Sequence, residues 1–178
     1  LVSFLILSSC ATLSEEECQT GNWKDIGYSD GQSGKTMKQF SSHLKACSEY
    51  NIKPNIVTYK LGRNEGLSEY CSPENAYEYG HTGKPYLNVC KGKGSKKFLK
   101  DYRLGKSIFV IKTEIDSIRA KIIKNKNDID FFKASPDRVQ SLRRDNKRLN
   151  KRKHILKAKL ILIQVKSKRN LADLIELL

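Results

Sequence analysis

From Leu104 to Phe132 the apolar residues recur at alternating steps of three and four: Ile108, Ile111, Ile115, Ile118 and Ile122, then Ile129 and Phe132, with Asn125 interrupting. A second run follows within a few residues: Val139, Leu142, Asn146, Leu149, Lys153, Leu156, Leu160 and Ile163. This spacing is the seam of a coiled coil, and few arrangements other than a facing helix can bury it. Between the runs, Ser135-Pro136-Asp137 supplies a cap, a proline at the first helical position and an acid that suits the helix dipole. So short a turn brings the second helix back antiparallel to the first.

The register follows from the pattern. Phe132 pairs with Val139, Ile129 with Leu142, Ile122 with Leu149, Ile115 with Leu156, Ile111 with Leu160 and Ile108 with Ile163, each pair keeping the same sum of residue numbers. Asn125 then faces Asn146, where two amides can hydrogen-bond and where a slip would set each against hydrocarbon. Lys153 falls opposite Ile118, its stem packing and its ammonium turned outward. Residues 96–178 are therefore read as a hairpin with arms roughly 50 Å long. Ile155, Ile161, Leu162, Val165, Leu171 and Ile175 widen the apolar face near the end of the second arm, and the cysteine-bearing part or a second subunit is expected to cover them.

Charge divides the chain at the same place. Residues 1–95 carry ten basic and ten acidic side chains, whereas residues 96–178 carry twenty-four and nine, which accounts for the whole net charge of +15. The excess concentrates between residues 119 and 153, with thirteen basic side chains against four acidic ones. Arg143, Arg144, Lys147, Arg148, Lys151 and Arg152 are the expected anion-binding residues. Lys91-Gly92-Lys93-Gly94-Ser95 reads as a flexible joint between the parts.

Before the joint lie four cysteines, Cys18, Cys47, Cys71 and Cys90, an even number that admits three pairings. Spacings of 29, 24 and 19 residues lack the tight pair of a zinc site, and no metal or other cofactor is expected. Easier closure of the shortest loops favours Cys18 with Cys47 and Cys71 with Cys90. Glycines recur behind aromatic residues in three places: Trp23, Gly27 and Gly31; Tyr59, Gly62 and Gly66; Tyr77, Gly80 and Gly83. Glycines four apart share one helix face, and because glycine costs about 1 kcal/mol there against alanine, a paired face implies a backbone pressed on a neighbour. Turns are the alternative. Thr36 with Gln39, Asn55, and Ser72-Pro73 mark helix starts, the first ahead of Phe40, Leu44 and Cys47 and the second ahead of Ile56, Tyr59 and Leu67.

At the start of the chain, the apolar run Leu1-Val2-Ser3-Phe4-Leu5-Ile6 leads into Leu7-Ser8-Ser9-Cys10, which resembles the lipobox of bacterial lipoproteins. The resemblance implies a signal-peptide remnant over residues 1–9, lipidation at Cys10 and a tether over residues 10–20, beginning with the acidic Ser14-Glu15-Glu16-Glu17. Ala11, in place of an aspartate after the cysteine, implies the outer membrane. From Cys10 to Cys90 the chain resembles a family of bacterial lipoproteins built on a domain of unknown function. The resemblance rests on Gly21-Asn22-Trp23, Ile26-Gly27-Tyr28, Asp30-Gly31, His43 four before Cys47, Tyr59-x-x-Gly62-Arg63-x-x-Gly66-Leu67, Tyr70-Cys71-x-Pro73-Glu74-Asn75-Ala76, Gly80, Gly83 and Tyr86. It implies secretion and a domain extent, and carries no activity.

Catalysis would have to use Asp30, Glu65, His43 or His81, with Asp30 and Glu65 placed alike by the repeat. The favoured reading is helix-surface charge for Asp30 and Glu65 and packing on the disulfide-bearing helix for His43, and no nucleophile-elbow, phosphate-loop or zinc-helix motif occurs. The expected fold is mainly α: a small disulfide-bonded domain of short glycine-containing helices over residues 21–94, then a long antiparallel coiled-coil hairpin. The expected function is non-enzymatic: an outer-membrane-anchored periplasmic lipoprotein acting as envelope tether or adaptor. Its partners would be the membrane through the anchor and, through the basic hairpin, an anionic cell-wall or envelope component or an acidic protein, with self-association open. If Cys10 is not lipidated, the alternative is a basic coiled-coil nucleic-acid-binding protein, although no base-reading motif or interleaved aromatics accompany the charge. A cell-wall hydrolase or its inhibitor is the third reading.

Overall fold

The computed structural model describes residues 13–92, 94–130 and 135–167. Among these are seven helices and no strand: α1 (Glu15–Thr20), α2 (Trp23–Gln32), α3 (Lys38–Ser48), α4 (Ile56–Tyr70), α5 (Pro73–His81), α6 (Gly94–Asp130) and α7 (Pro136–Ser167). They form two compact units. One runs to Glu78 and resumes over Lys84–Tyr102; the other takes Tyr79–Gly83 and the chain from Arg103 onward. The division falls inside α6, beyond the glycine-spaced joint, because Phe98 and Tyr102 at the start of that helix belong to an aromatic cluster of the first unit. Phe98 is fully buried, with ring centroids 5.4 Å from Tyr70 and 4.8 Å from Tyr86, and the Tyr102 hydroxyl accepts the Tyr86 N–H at 3.1 Å.

The glycine pairs of α2 and α4 meet each other. A Cβ built on Gly27 would lie 2.1 Å from the Tyr59 carbonyl oxygen, on Gly31 2.2 Å from that of Arg63, on Gly62 1.8 Å from that of Lys24, and on Gly66 2.1 Å from that of Tyr28. Contacts advance together along both helices, so the two run parallel, backbone on backbone. Every approach also has its counterpart thirty-five residues along the chain. Gly27 meets Tyr59 as Gly62 meets Lys24, and Gly31 meets Arg63 as Gly66 meets Tyr28. The two helices are thus related by a local pseudo-twofold, which only a residue without a side chain permits at this separation. The third glycine pair does something else. Gly83 follows α5 with φ +77°, where a Cβ would meet the Phe109 ring at 2.4 Å, so there the turn reading applies.

Capping matches part of the expectation. Asn55 Oδ1 accepts the N–H groups of Val57 and Thr58 to start α4, and Ser72 Oγ accepts that of Asn75 at the start of α5. Thr36 accepts the Lys38 N–H, but Met37 occupies the cap of α3, which has no side-chain cap. The buried face of α3 is Phe40, His43, Ala46 and Cys47, while Leu44 is exposed. The segment expected as a tether is helical over α1, capped by a Ser14–Glu17 box. Leu13 and Cys18 are buried there with Cys47, against Trp23, Ile26 and Ile52.

In the second unit α6 and α7 form the antiparallel pair. Ile108, Ile111, Ile115, Ile118 and Ile122 of α6 are buried, as are Leu142, Leu156 and Leu160 of α7. Asn125 Nδ2 donates to Asn146 Oδ1 at 2.9 Å, the facing that the seam dictates. Lys153 Nζ turns to Asn150 Oδ1 at 2.8 Å, leaving its stem half-buried opposite Ile118. Near the base the buried position moves from the expected Ile163, which is half-buried, to Gln164. Of the widened face, Ile155, Leu162 and Val165 are more than half exposed, at 52%, 59% and 55%, and Ile161 is half-buried. Phe132, Leu171 and Ile175 lie outside the described residues.

Candidate functional site

Two arrangements of chemistry-bearing side chains result. The first is internal. Asp30 Oδ2 lies 2.8 Å from His43 Nε2 and accepts the Tyr59 hydroxyl at 2.7 Å, joining α2, α3 and α4 through one carboxylate. Phe40 and His43 lean on the Tyr59 ring, at 4.8 and 6.1 Å between centroids. The pseudo-twofold gives this network a twin. Tyr59 is to Asp30 as Lys24 is to Glu65, and Lys24 Nζ pairs with Glu65 at 3.0 Å in open solvent. Burial, followed by the hydrogen bond to Asp30 and its charge, raises the Tyr59 hydroxyl well above the usual tyrosine value.

The inner network is largely enclosed: Tyr59 is fully buried and the side chains of His43 and Asp30 are 4% and 15% exposed. Asp30 and Glu65 do not converge; each is engaged on its own side of the crossing. His81, the other residue considered for catalysis, ends α5 in the second unit. Among the described residues no group of three or more His, Cys, Asp or Glu is placed to hold a metal ion.

The four cysteines form two bridges, Cys18–Cys47 and Cys71–Cys90, both in the first unit. Cys10 lies outside the described residues. Among those that are described, no helix is long and apolar enough to cross a membrane.

The second arrangement is the basic face of α7. Steps of four place Arg143, Lys147 and Lys151 in one row and Arg144, Arg148 and Arg152 in the next, and all six are exposed. Arg148 pairs with Asp145 at 2.8 Å and Arg152 with Glu114 at 2.9 Å. Arg148 and then Asn125 hold the Asp145 carboxyl below the usual aspartate value, and the Glu114 hydrogen bond and charge raise Arg152. Arg143, Arg144, Lys147 and Lys151 have no carboxylate among the described residues within ion-pair distance. Beside the rows, a shallow hollow of about 450 Å³ is lined by Arg138, Arg144 and Arg148 with Asn125, Ser141, Leu142 and Asp145. Arg138 and Arg144 bring to the hollow guanidinium forks that suit an anion and that lysine cannot match, while Arg148 there is paired with the Asp145 carboxylate.

Sequence reasoning missed the Asp30–His43–Tyr59 network. Its one available signal was the repeat itself, which aligns buried Tyr59 with exposed Lys24 and so marks one side of the crossing as interior. Residues 22–107 match a family described as "Protein of unknown function (DUF2799)". That stretch opens at the Asn22 cap of α2 and takes in both glycine helices with Cys47, Cys71 and Cys90; Cys10, Cys18 and most of the hairpin lie outside it. No curated protein and no solved structure matches the chain.

Proposed function

We propose that this chain is a lipid-anchored periplasmic protein of the outer membrane that acts as a non-enzymatic tether or adaptor, its hairpin binding an anionic envelope component. The observation that carries the reading is the set of exposed cations Arg143, Arg144, Lys147 and Lys151 on one side of α7, none of which has a carboxylate within ion-pair distance among the described residues. Charge held unneutralised along a rigid helix attracts polyanions and raises encounter rates with them. Two disulfides in a small unit favour an oxidising compartment, where such bridges persist. Leu7-Ser8-Ser9-Cys10 supplies the anchor chemistry, and several acyl chains hold where one is marginal. The same bridges weigh against the nucleic-acid alternative, which places the chain in a reducing cytosol.

The test combines location and binding. Cells treated with globomycin are expected to accumulate an unprocessed form, and fractionation is expected to place the mature form in the outer membrane. Purified cell wall should retain the protein at low salt and release it at high salt. A soluble, unprocessed protein with all five cysteines as free thiols and no salt-sensitive retention overturns the reading.

A further inference from the structure

The outward side of α7, opposite its seam, changes character along its length. Stepping by three and four it reads Arg144, Arg148, Lys151, then Ile155, Ala158, Leu162 and Val165. The first three are exposed cations and the last four exposed apolar residues, with Ile155, Leu162 and Val165 more than half accessible. Lys159 and Lys166, one turn beyond Ile155 and Leu162, border the apolar half and are exposed as well. The stripe extends roughly 30 Å along one helix. At its basic end lies the hollow lined by Arg138, Arg144 and Arg148, three guanidinium groups against the one carboxylate of Asp145, which pairs with Arg148.

We infer that this face docks on an anionic phospholipid bilayer, the arginine hollow receiving lipid phosphate groups and the Ile155–Val165 stripe entering the acyl boundary. The inference rests on the polyanion reading above and narrows its partner. Charge complementarity selects an anionic surface, and the apolar half selects lipid. A glycan or nucleic acid offers Leu162 and Val165 nothing that water does not, whereas a bilayer interface accepts apolar surface and cations from the same helix face. Lysines bordering such a stripe keep their ammonium groups at headgroup level while their stems pack along it. An isolated basic patch predicts dependence on charge alone; this face predicts dependence on both halves.

The experiment uses the full chain carrying Cys10→Ser, so that no acyl group contributes, with co-sedimentation on vesicles of phosphatidylglycerol mixed with phosphatidylcholine and on phosphatidylcholine alone. Binding is expected to the anionic vesicles only, and to weaken at high salt. Arg144→Glu with Arg148→Glu should lower affinity about tenfold or more. Leu162→Ser with Val165→Ser should lower it by about tenfold as well. Lys45→Glu, an exposed charge on the other unit, should leave it unchanged. Arg144, Arg148, Leu162, Val165 and Lys45 are all exposed, and circular dichroism verifies that helix content is kept. Equal binding of the Leu162→Ser, Val165→Ser variant overturns the inference, since charge alone then suffices. Failure to bind anionic vesicles while purified cell wall still retains the protein overturns the lipid assignment and leaves the broader reading standing. Failure on both removes the broader reading too.

Discussion

At the α2–α4 crossing a single methyl group decides whether the first unit can close. Gly62→Ala would set a Cβ 1.8 Å from the Lys24 carbonyl oxygen, and both sides are backbone that cannot rotate away. Urea unfolding is expected to show a loss of about 3 kcal/mol or more. Gly94→Ala, with nothing within 4 Å of its added Cβ, should stay within about 1 kcal/mol of the parent. The pseudo-twofold supplies a second contrast. Asp30→Ala deprives two buried donors of their acceptor and should cost roughly 3 kcal/mol; Glu65→Ala removes its exposed twin and should cost under about 1 kcal/mol. Acid acts on another carboxyl. The Ser14 backbone N–H, then its hydroxyl, hold Glu17 below the usual glutamate value, so this stabilisation is complete above the unfolded-state value and fades as pH falls through the lowered folded one. An NMR titration should place Glu17 below an ordinary glutamate, with α1 amides losing protection relative to their intrinsic exchange rates only in acid.

Among the elements, α6 and α7 were the most legible. Their partners lie along continuous periodic runs, and one polar residue in each arm locks the alignment, so the Asn125–Asn146 hydrogen bond could be placed from spacing alone. Asn125 also donates to Asp145 at 3.0 Å, which a seam pattern does not reveal because Asp145 lies beside the seam. Asn125→Leu should therefore lower the melting temperature, leaving Asn146 and Asp145 without their donor at a cost of about 1 kcal/mol. The double variant with Asn146→Leu should melt above the parent yet sediment as more than one species, because nothing then fixes register. Helices of the first unit were harder to read. Glycine spacing implies a close neighbour without naming it, and the glutamates of α1 suit a solvated leader as well as a capping box, so its helix is not marked by pattern alone. The Asp30–His43–Tyr59 network joins three helices through residues too far apart in sequence for any local pattern to connect.

For the molecule as a whole, stabilisation is unevenly shared. The bridged unit draws on two disulfides, each worth roughly 2 to 4 kcal/mol, while the hairpin holds by its seam. Reductant is expected to lower the melting transition of the first unit and leave that of the hairpin in place, giving two steps by circular dichroism where the oxidised protein shows closer ones. Phe98 and Tyr102 look in the sequence like the start of the long helix, whereas they pack as part of the first unit, because their aromatic partners Tyr70 and Tyr86 lie there. The mated glycines of α2 and α4 also constrain how such a chain can drift over generations. One residue inserted inside either helix swings everything after it by about 100° and lifts a glycine off its mate, whereas residues added between Ser33 and Met37 or between Glu49 and Asn55 disturb no graduation on either ruler. Lineages that carry this segment should vary in length in those connectors and hold both helices to a fixed count.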